Sequence, residues 1–175
     1  MTQEYTVLLV FDSFVLDRFV MARHVVRGWE LPGGRVEAGE ELLAAARREW
    51  DEECGLPLHR VEPLVLHERP DGSLGHVFLG AMAATPGARL DAPAGRDAKI
   101  AEVRLVRALA DVTPMAFPDD PYAEVAGAVL RRLGSRWSLP AGESQDAFVG
   151  RLSFHAGARP HGHRVTVHPL SRSAA

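Results

Sequence analysis

The chain has 175 residues, of which 46% are hydrophobic, and a net charge of −3. That length suits one well-buried domain and is short for two, and the slightly acidic balance excludes the global basic field that gathers nucleic acid or acidic membrane. No apolar run approaches the roughly 20 residues of a membrane span, and Met1-Thr2-Gln3-Glu4-Tyr5 lacks the regions of a signal peptide. The resulting expectation is a cytoplasmic protein without membrane or nucleic-acid partners. A single cysteine, Cys54, excludes an internal disulfide. Nineteen arginines against Lys99 alone, no asparagine, and Ile100 as the sole isoleucine fit a GC-rich, bacterial coding bias.

In chain order, residues 5–12 and 14–24 read as strands, and residues 28–31 as a third that runs into Pro32-Gly33-Gly34. Such a turn lets backbone approach a ligand or ion closely. Residues 39–54 read as one helix, with Leu42, Leu43, Ala46, Trp50 and Cys54 at the spacing of a buried stripe. Gly55 is its natural stop. Residues 61–67 and 75–83 form a predicted hairpin around Pro70-Asp71-Gly72, and residues 102–107 another strand. Asp120 and Pro121 are placed to cap and begin a second helix that continues through Val125, Val129 and Leu133 to Gly134. The pattern is α/β: a mixed sheet with helices on both faces.

The helix that follows the glycine turn carries Glu49, Asp51, Glu52 and Glu53 within five positions. Glu49, Glu52 and Glu53 are three and four residues apart, so their carboxylates share a face and repel. They also lie at the carboxyl end, where the helix dipole disfavours an anion by roughly 0.3–1 kcal/mol. A hard divalent cation removes both penalties, because magnesium and manganese take carboxylate oxygens. Read with their surroundings, Gly34, Glu40, Arg48, Glu49, Trp50, Glu52, Glu53, Gly55 and Leu56 match the Nudix box in sequence and spacing. The chain therefore resembles Nudix hydrolases; Trp50 departs from the usual aliphatic side chain but keeps an apolar one.

The resemblance covers about the first 135 residues and implies an αβα sandwich. It further implies cleavage of a diphosphate linkage in a nucleoside diphosphate derivative, with water as nucleophile and Mg2+, or Mn2+ in its place, as cofactor. By the family pattern Glu49, Glu52, Glu53 and the backbone carbonyl of Gly33 hold the ions. Glu49 or Glu52 takes the proton from water, with Asp97 and Glu102 as alternatives on later segments, and Arg48 orients its carboxylate neighbours. Glu40 is expected to organise the start of the helix, where negative charge is favourable.

Substrate signals are sparser. Arg23 aligns with an arginine that MutT-like triphosphatases carry before the glycine turn, where it grips phosphate; it reads equally as an exposed strand end. Phe117-Pro118-Asp119-Asp120-Pro121-Tyr122 resembles the segment with which oxidised-purine triphosphatases of the family stack a base and read its edge. Phe117 would supply the π face, and Asp119 and Asp120 a donor and acceptor together. The other reading is a capped helix start. These features favour a MutT-like nucleoside triphosphate pyrophosphohydrolase, monomer or homodimer, acting on a small-molecule nucleotide. An ADP-ribose or nucleotide-sugar pyrophosphatase, suggested by Pro70, and a silent nucleotide sensor are the alternatives. Residues 136–175 read as an extension: residues 151–175 hold Arg151, Arg159, Arg164 and Arg172 and no acid. A partly mobile basic tail is expected there, in preference to an anion arm or a metal site at His161 and His163, while Trp137, Phe148 and Phe154 offer apolar side chains that could fold back.

Overall fold

The computed structural model describes residues 2–82, 95–153 and 162–169. Strands β1 (Glu4–Phe11), β2 (Phe19–His24), β3 (Gly28–Glu30) and β4 (Gly33–Arg35) precede helix α1 (Leu42–Glu53). Strands β5 (Leu58–Glu68), β6 (Leu74–Met82) and β7 (Ile100–Val106) lead to α2 (Tyr122–Leu130), α3 (Gln145–Arg151) and β8 (Arg164–Val167). They form one sheet in the order β3-β2-β1-β6-β5-β8, with β4 also on β1 and β7 also on β2. The β1–β6 pair is parallel, Leu8 opposite Phe78, and the other pairs are antiparallel.

Side chains alternate along a strand, and this sorts the core into two layers. Leu8 and Val10 pack with Val20, Ala22, Phe78 and the Ala46, Trp50 and Cys54 face of α1. Leu9 and Phe11 pack on the other side with Phe19, Met21, Leu79, and Val125, Ala126 and Val129 of α2. The mixed sheet thus has helices on both faces, the αβα sandwich expected. On one side β1 is forked: Tyr5, Thr6 and Val7 pair with β4, whereas Phe11 pairs with β2.

Several boundaries differ from expectation. The second strand begins at Phe19, after a turn closed by Asp12 N–H donating to the Arg18 carbonyl at 2.9 Å. Helix α1 starts at Leu42, because Gly39 sits at φ +77° and Glu41 is still extended. Leu43 is 42% exposed, so it leaves the buried stripe, which Ala45 joins. Gly55 ends α1 as expected, at φ +62° with its N–H on the Trp50 carbonyl. Helix α2 begins at Tyr122, flanked by Pro121, with no side-chain cap from Asp120. It ends at Leu130, so Leu133 and Gly134 lie beyond it.

Past Ser135 the described residues fold back. Trp137 packs edge-on against Phe14, and Trp137, Phe148 and Leu152 are buried in the α2-side core. Arg151 bonds both oxygens of Glu143 and the carbonyls of Leu16, Asp17 and Arg107. Buried Arg132 donates to the carbonyls of Pro63 and His168, which fastens the end of β8 beside β5. Phe154, Arg159, His161 and Arg172 lie outside the described residues.

Candidate active site

A cleft of about 600 Å3 opens beside the fork in β1. Residues of β1 (Tyr5, Thr6, Val7), β4 (Gly33, Gly34), α1 (Glu49, Glu52, Glu53) and the start of α2 (Tyr122, Val125) line it. Residues brought from both helical layers therefore meet one space.

Arg48 organises the acidic face. Its guanidinium is bidentate to Glu40 at 2.8 and 2.9 Å and also donates to Glu49 Oε1 at 2.7 Å, Glu52 Oε2 at 3.4 Å and the Arg35 carbonyl at 3.0 Å. The Arg48 bond holds the Glu40 carboxyl down at about 2, and Arg48 itself is raised by Glu40 and Glu49. Arg48 thus contacts both Glu49 and Glu52, where the sequence offered one or the other, and it links Glu40 to them. Burial pushes the Glu49 carboxyl up against the pull of Arg48.

The two glycines of the turn let these carboxylates lie against the sheet. A Cβ on Gly34 would fall 2.4 Å from the Glu49 carboxyl carbon. Gly33 sits at φ +152° and a Cβ there would meet the Thr6 carbonyl oxygen; its N–H donates to Glu53 Oε2 at 2.9 Å. Glu53 is only 4% exposed. Burial, with Glu30, Glu49 and Asp97 adding to it, pushes its carboxyl up to about 8. Oxygen-only donors, one of them a buried carboxyl among other acids, are the chemistry that fits a hard divalent cation.

The substrate candidates divide. Phe117 and Asp120 line the cleft, and Asp119 does not. Arg23 lies outside the lining and pairs across strands with Glu102 at 3.4 Å. Of the later acids, Asp97 lines the cleft and Glu102 does not. Sequence reasoning missed Arg69, whose guanidinium covers the Phe117 ring 4.8 Å from its centroid and donates to Asp120 Oδ2 at 2.9 Å. The helix-start reading of Asp120 fails for that reason: its carboxylate is turned to Arg69. It also missed His67, which with Asp120 and His163 forms a candidate metal-binding cluster whose donor atoms all lie within 4.8 Å of one another. Among the described residues this is the convergent trio. The box glutamates are spread instead, Glu49 toward Arg48 and Glu53 toward Gly33.

Residues 3–133 match the NUDIX domain family. This chain belongs to that family. Its helical box keeps Glu49, Glu52 and Glu53 on α1. Among curated proteins, the 8-oxo-dGDP phosphatase NUDT18 of Mus musculus is 40% identical over 79 residues, 43% of this chain and 24% of that protein. The chain thus spans about a quarter of that relative's length. Among solved structures, a NUDIX hydrolase from Nitrosomonas europaea has a TM-score of 0.58 at 20% identity, covering 79% of this chain and 77% of that one. The Bacillus subtilis pyrophosphohydrolase BsRppH has a TM-score of 0.56 at 17% identity, covering 77% and 84%. At these identities the two structures share the fold. No helix among the described residues is long and apolar enough to cross a membrane.

Proposed function

We propose that this Nudix hydrolase cleaves the diphosphate linkage of a nucleotide, and that its substrate is a purine nucleoside triphosphate, an oxidised purine above all, converted to monophosphate and pyrophosphate. One observation carries the reading: a single cleft joins the acidic face of α1 to an aromatic, hydrogen-bonding end made by Phe117, Arg69 and Asp120. The first suits a cation-bound diphosphate, the second a flat base with polar edges.

Glu49, Glu52, Glu53 and the Gly33 carbonyl would hold Mg2+, or Mn2+ in its place, and bound there it supplies charge neutralisation of the diphosphate and a more acidic water. Arg48, tied to Glu40, holds Glu49 by its Oε1 at the wall of the cleft. Glu52, the most exposed of the three box glutamates with 44% of its side chain open, is the group with room to take a proton from water. Arg27 and Lys99 line the cleft and are better placed for phosphate oxygens than Arg23. The base stacks on the guanidinium that covers Phe117, while Asp120 reads its edge.

The relative named for 8-oxo-dGDP supports the oxidised purine and favours a second reading, a nucleoside diphosphate in place of the triphosphate. A magnesium-dependent hydrolysis panel of canonical and oxidised purine tri- and diphosphates, ADP-ribose and nucleotide sugars separates them. Pyrophosphate released preferentially from a purine triphosphate upholds the first reading, and phosphate from the diphosphate the second. Preference for ADP-ribose or a sugar nucleotide overturns the purine pocket, and nucleotide binding without hydrolysis overturns the catalytic reading.

A further inference from the structure

The register of the last strand brings two distant histidines together. In the β5–β8 pair, His67 is opposite Val165. His163 is two positions before Val165, so it falls on the same face as His67. The rings stack with centroids 4.9 Å apart, and His67 Nε2 lies 2.6 Å from His163 Nδ1. Asp120, at the entrance to α2, brings a carboxylate into the same group, all three donor atoms within 4.8 Å. His67 and Asp120 also line the cleft.

We propose that His67, His163 and Asp120 form a second cation site, separate from the box, that takes Zn2+ in preference to Mg2+. Two imidazole nitrogens and one carboxylate oxygen are the borderline donor set that suits zinc, whereas magnesium selects oxygen ligands in an octahedron. Tetrahedral zinc needs ligand atoms about 3.3 Å apart at bond lengths of ~2.0–2.1 Å. The nitrogens, now 2.6 Å apart, would open by about 0.7 Å, and the oxygen would close in. The remaining parts of such a site are also in place. His67 is buried, so its imidazole is held in place beside the other two donors. Arg69 bonds Asp120 Oδ2, which orients the carboxylate in the way that outer-sphere partners orient metal ligands and leaves it a second oxygen to offer. Three protein ligands leave a fourth position, and the cleft is the space next to it. Zinc there would clip β5, the start of α2 and β8 together across a separation of 96 positions between the two histidines.

The site shares Asp120 with the base end of the proposed cleft, so a cation bound there would replace that edge contact, and its test needs no turnover. The full chain, stripped with chelator and returned to buffer with millimolar Mg2+ so that the box is saturated, is titrated with Zn2+ by calorimetry. One equivalent should bind, with affinity reduced at least tenfold in His163→Ala and in Asp120→Asn. Co2+ in place of Zn2+ should give an intense four-coordinate d–d spectrum in the unsubstituted chain and lose it in both variants. His163→Gln, which keeps a side chain able to hydrogen-bond His67, serves if the alanine variant melts early; it too should lose the cobalt spectrum. No binding in the presence of Mg2+, or equal affinity in all variants with folding intact, would overturn the site and leave the histidines as a hydrogen-bonded pair.

Discussion

Gly34→Ala should remove most of the turnover and spare the fold. Gly34 is paired in β4 opposite Thr6 and is absent from the glycines at positive φ, so its backbone admits alanine. The new methyl, however, would stand 2.4 Å from the Glu49 carboxyl carbon and 2.4–2.5 Å from its oxygens. Ordinary carbon contacts need about 3.5 Å, so the carboxylate must retreat by about 1 Å. Glu49 ends in a flexible side chain, so this retreat is cheap for stability and disruptive for alignment. A 1 Å displacement of a reacting or ligand group costs on the order of 10²-fold, or about 2.7 kcal/mol of barrier. Gly33→Ala is the contrasting case. Its Cβ would collide with the Thr6 backbone carbonyl, and its φ of +152° is unfavourable for an L side chain, so the strand pair itself must move. Steady-state kcat with saturating Mg2+, read beside thermal melts, distinguishes the two: Gly34→Ala keeps its Tm and loses kcat, and Gly33→Ala melts early. Turnover of Gly34→Ala within twofold of the parent would refute the placement of Glu49 in the machinery.

Other expected outcomes follow from the same cleft. Glu52→Gln should lower kcat by roughly two to three orders of magnitude with Tm unchanged or raised, since it relieves repulsion on α1; unaltered turnover would remove Glu52 from the reaction. Glu53 has a folded pKa of about 8, above the ordinary 4.5, so the native state holds its proton more tightly than the unfolded chain. Its contribution to stability is complete below about pH 4.5 and is lost as pH rises to about 8, a swing of order 4–5 kcal/mol in chelator. Mg2+ should reverse the loss above pH 7 and Glu53→Gln should flatten the slope; denaturant melts across pH in chelator and in Mg2+ check both. Phe117→Ala removes the surface that Arg69 covers, and should raise KM about tenfold for purine nucleotides while leaving ADP-ribose nearly unaffected. An equal effect on both would discard the stacking role.

The acidic helix was legible because its information is local: the carboxylates, Arg48 and the terminating Gly55 all fall within eight positions, and helical spacing alone puts them on a face. The glycine turn was legible for the same reason, although the strand that it begins, Gly33–Arg35, has no apolar pattern and exists only through pairing with β1. Strand β8, Arg164–Val167, is four residues in a polar surrounding and is defined by its partner β5. Helix α3 buries only Phe148 and could not announce itself by periodicity. The aromatic end of the cleft was half visible. Phe117 and Asp120 stand out as a motif, but Arg69 sits 51 positions from Asp120 and His163 is 96 from His67. Such contacts follow from strand register, which a single sequence leaves open when the strands are short. Asp120 shows the cost: its spacing before Pro121 reads as a cap, and a cation from the β5–β6 turn claims the carboxylate instead.

The placement of β8 bears on how much of this chain the folded core requires. It covers Val65–Glu68, the end of a long outer strand that follows β6 in the sheet order. A strand whose outward N–H and C=O groups are bare is a template for pairing with another molecule. A polypeptide cut where the family match ends, at residue 133, would keep the whole acidic helix and yet bare that edge. It would also lose Trp137 and Phe148 from the interior, at a cost of about 3–5 kcal/mol for each aromatic removed. The segment outside the shared family core thus completes the interior and pairs with the end of β5, becoming itself the outer strand of the sheet, and the piece that keeps the folded core is larger than the piece that carries the signature.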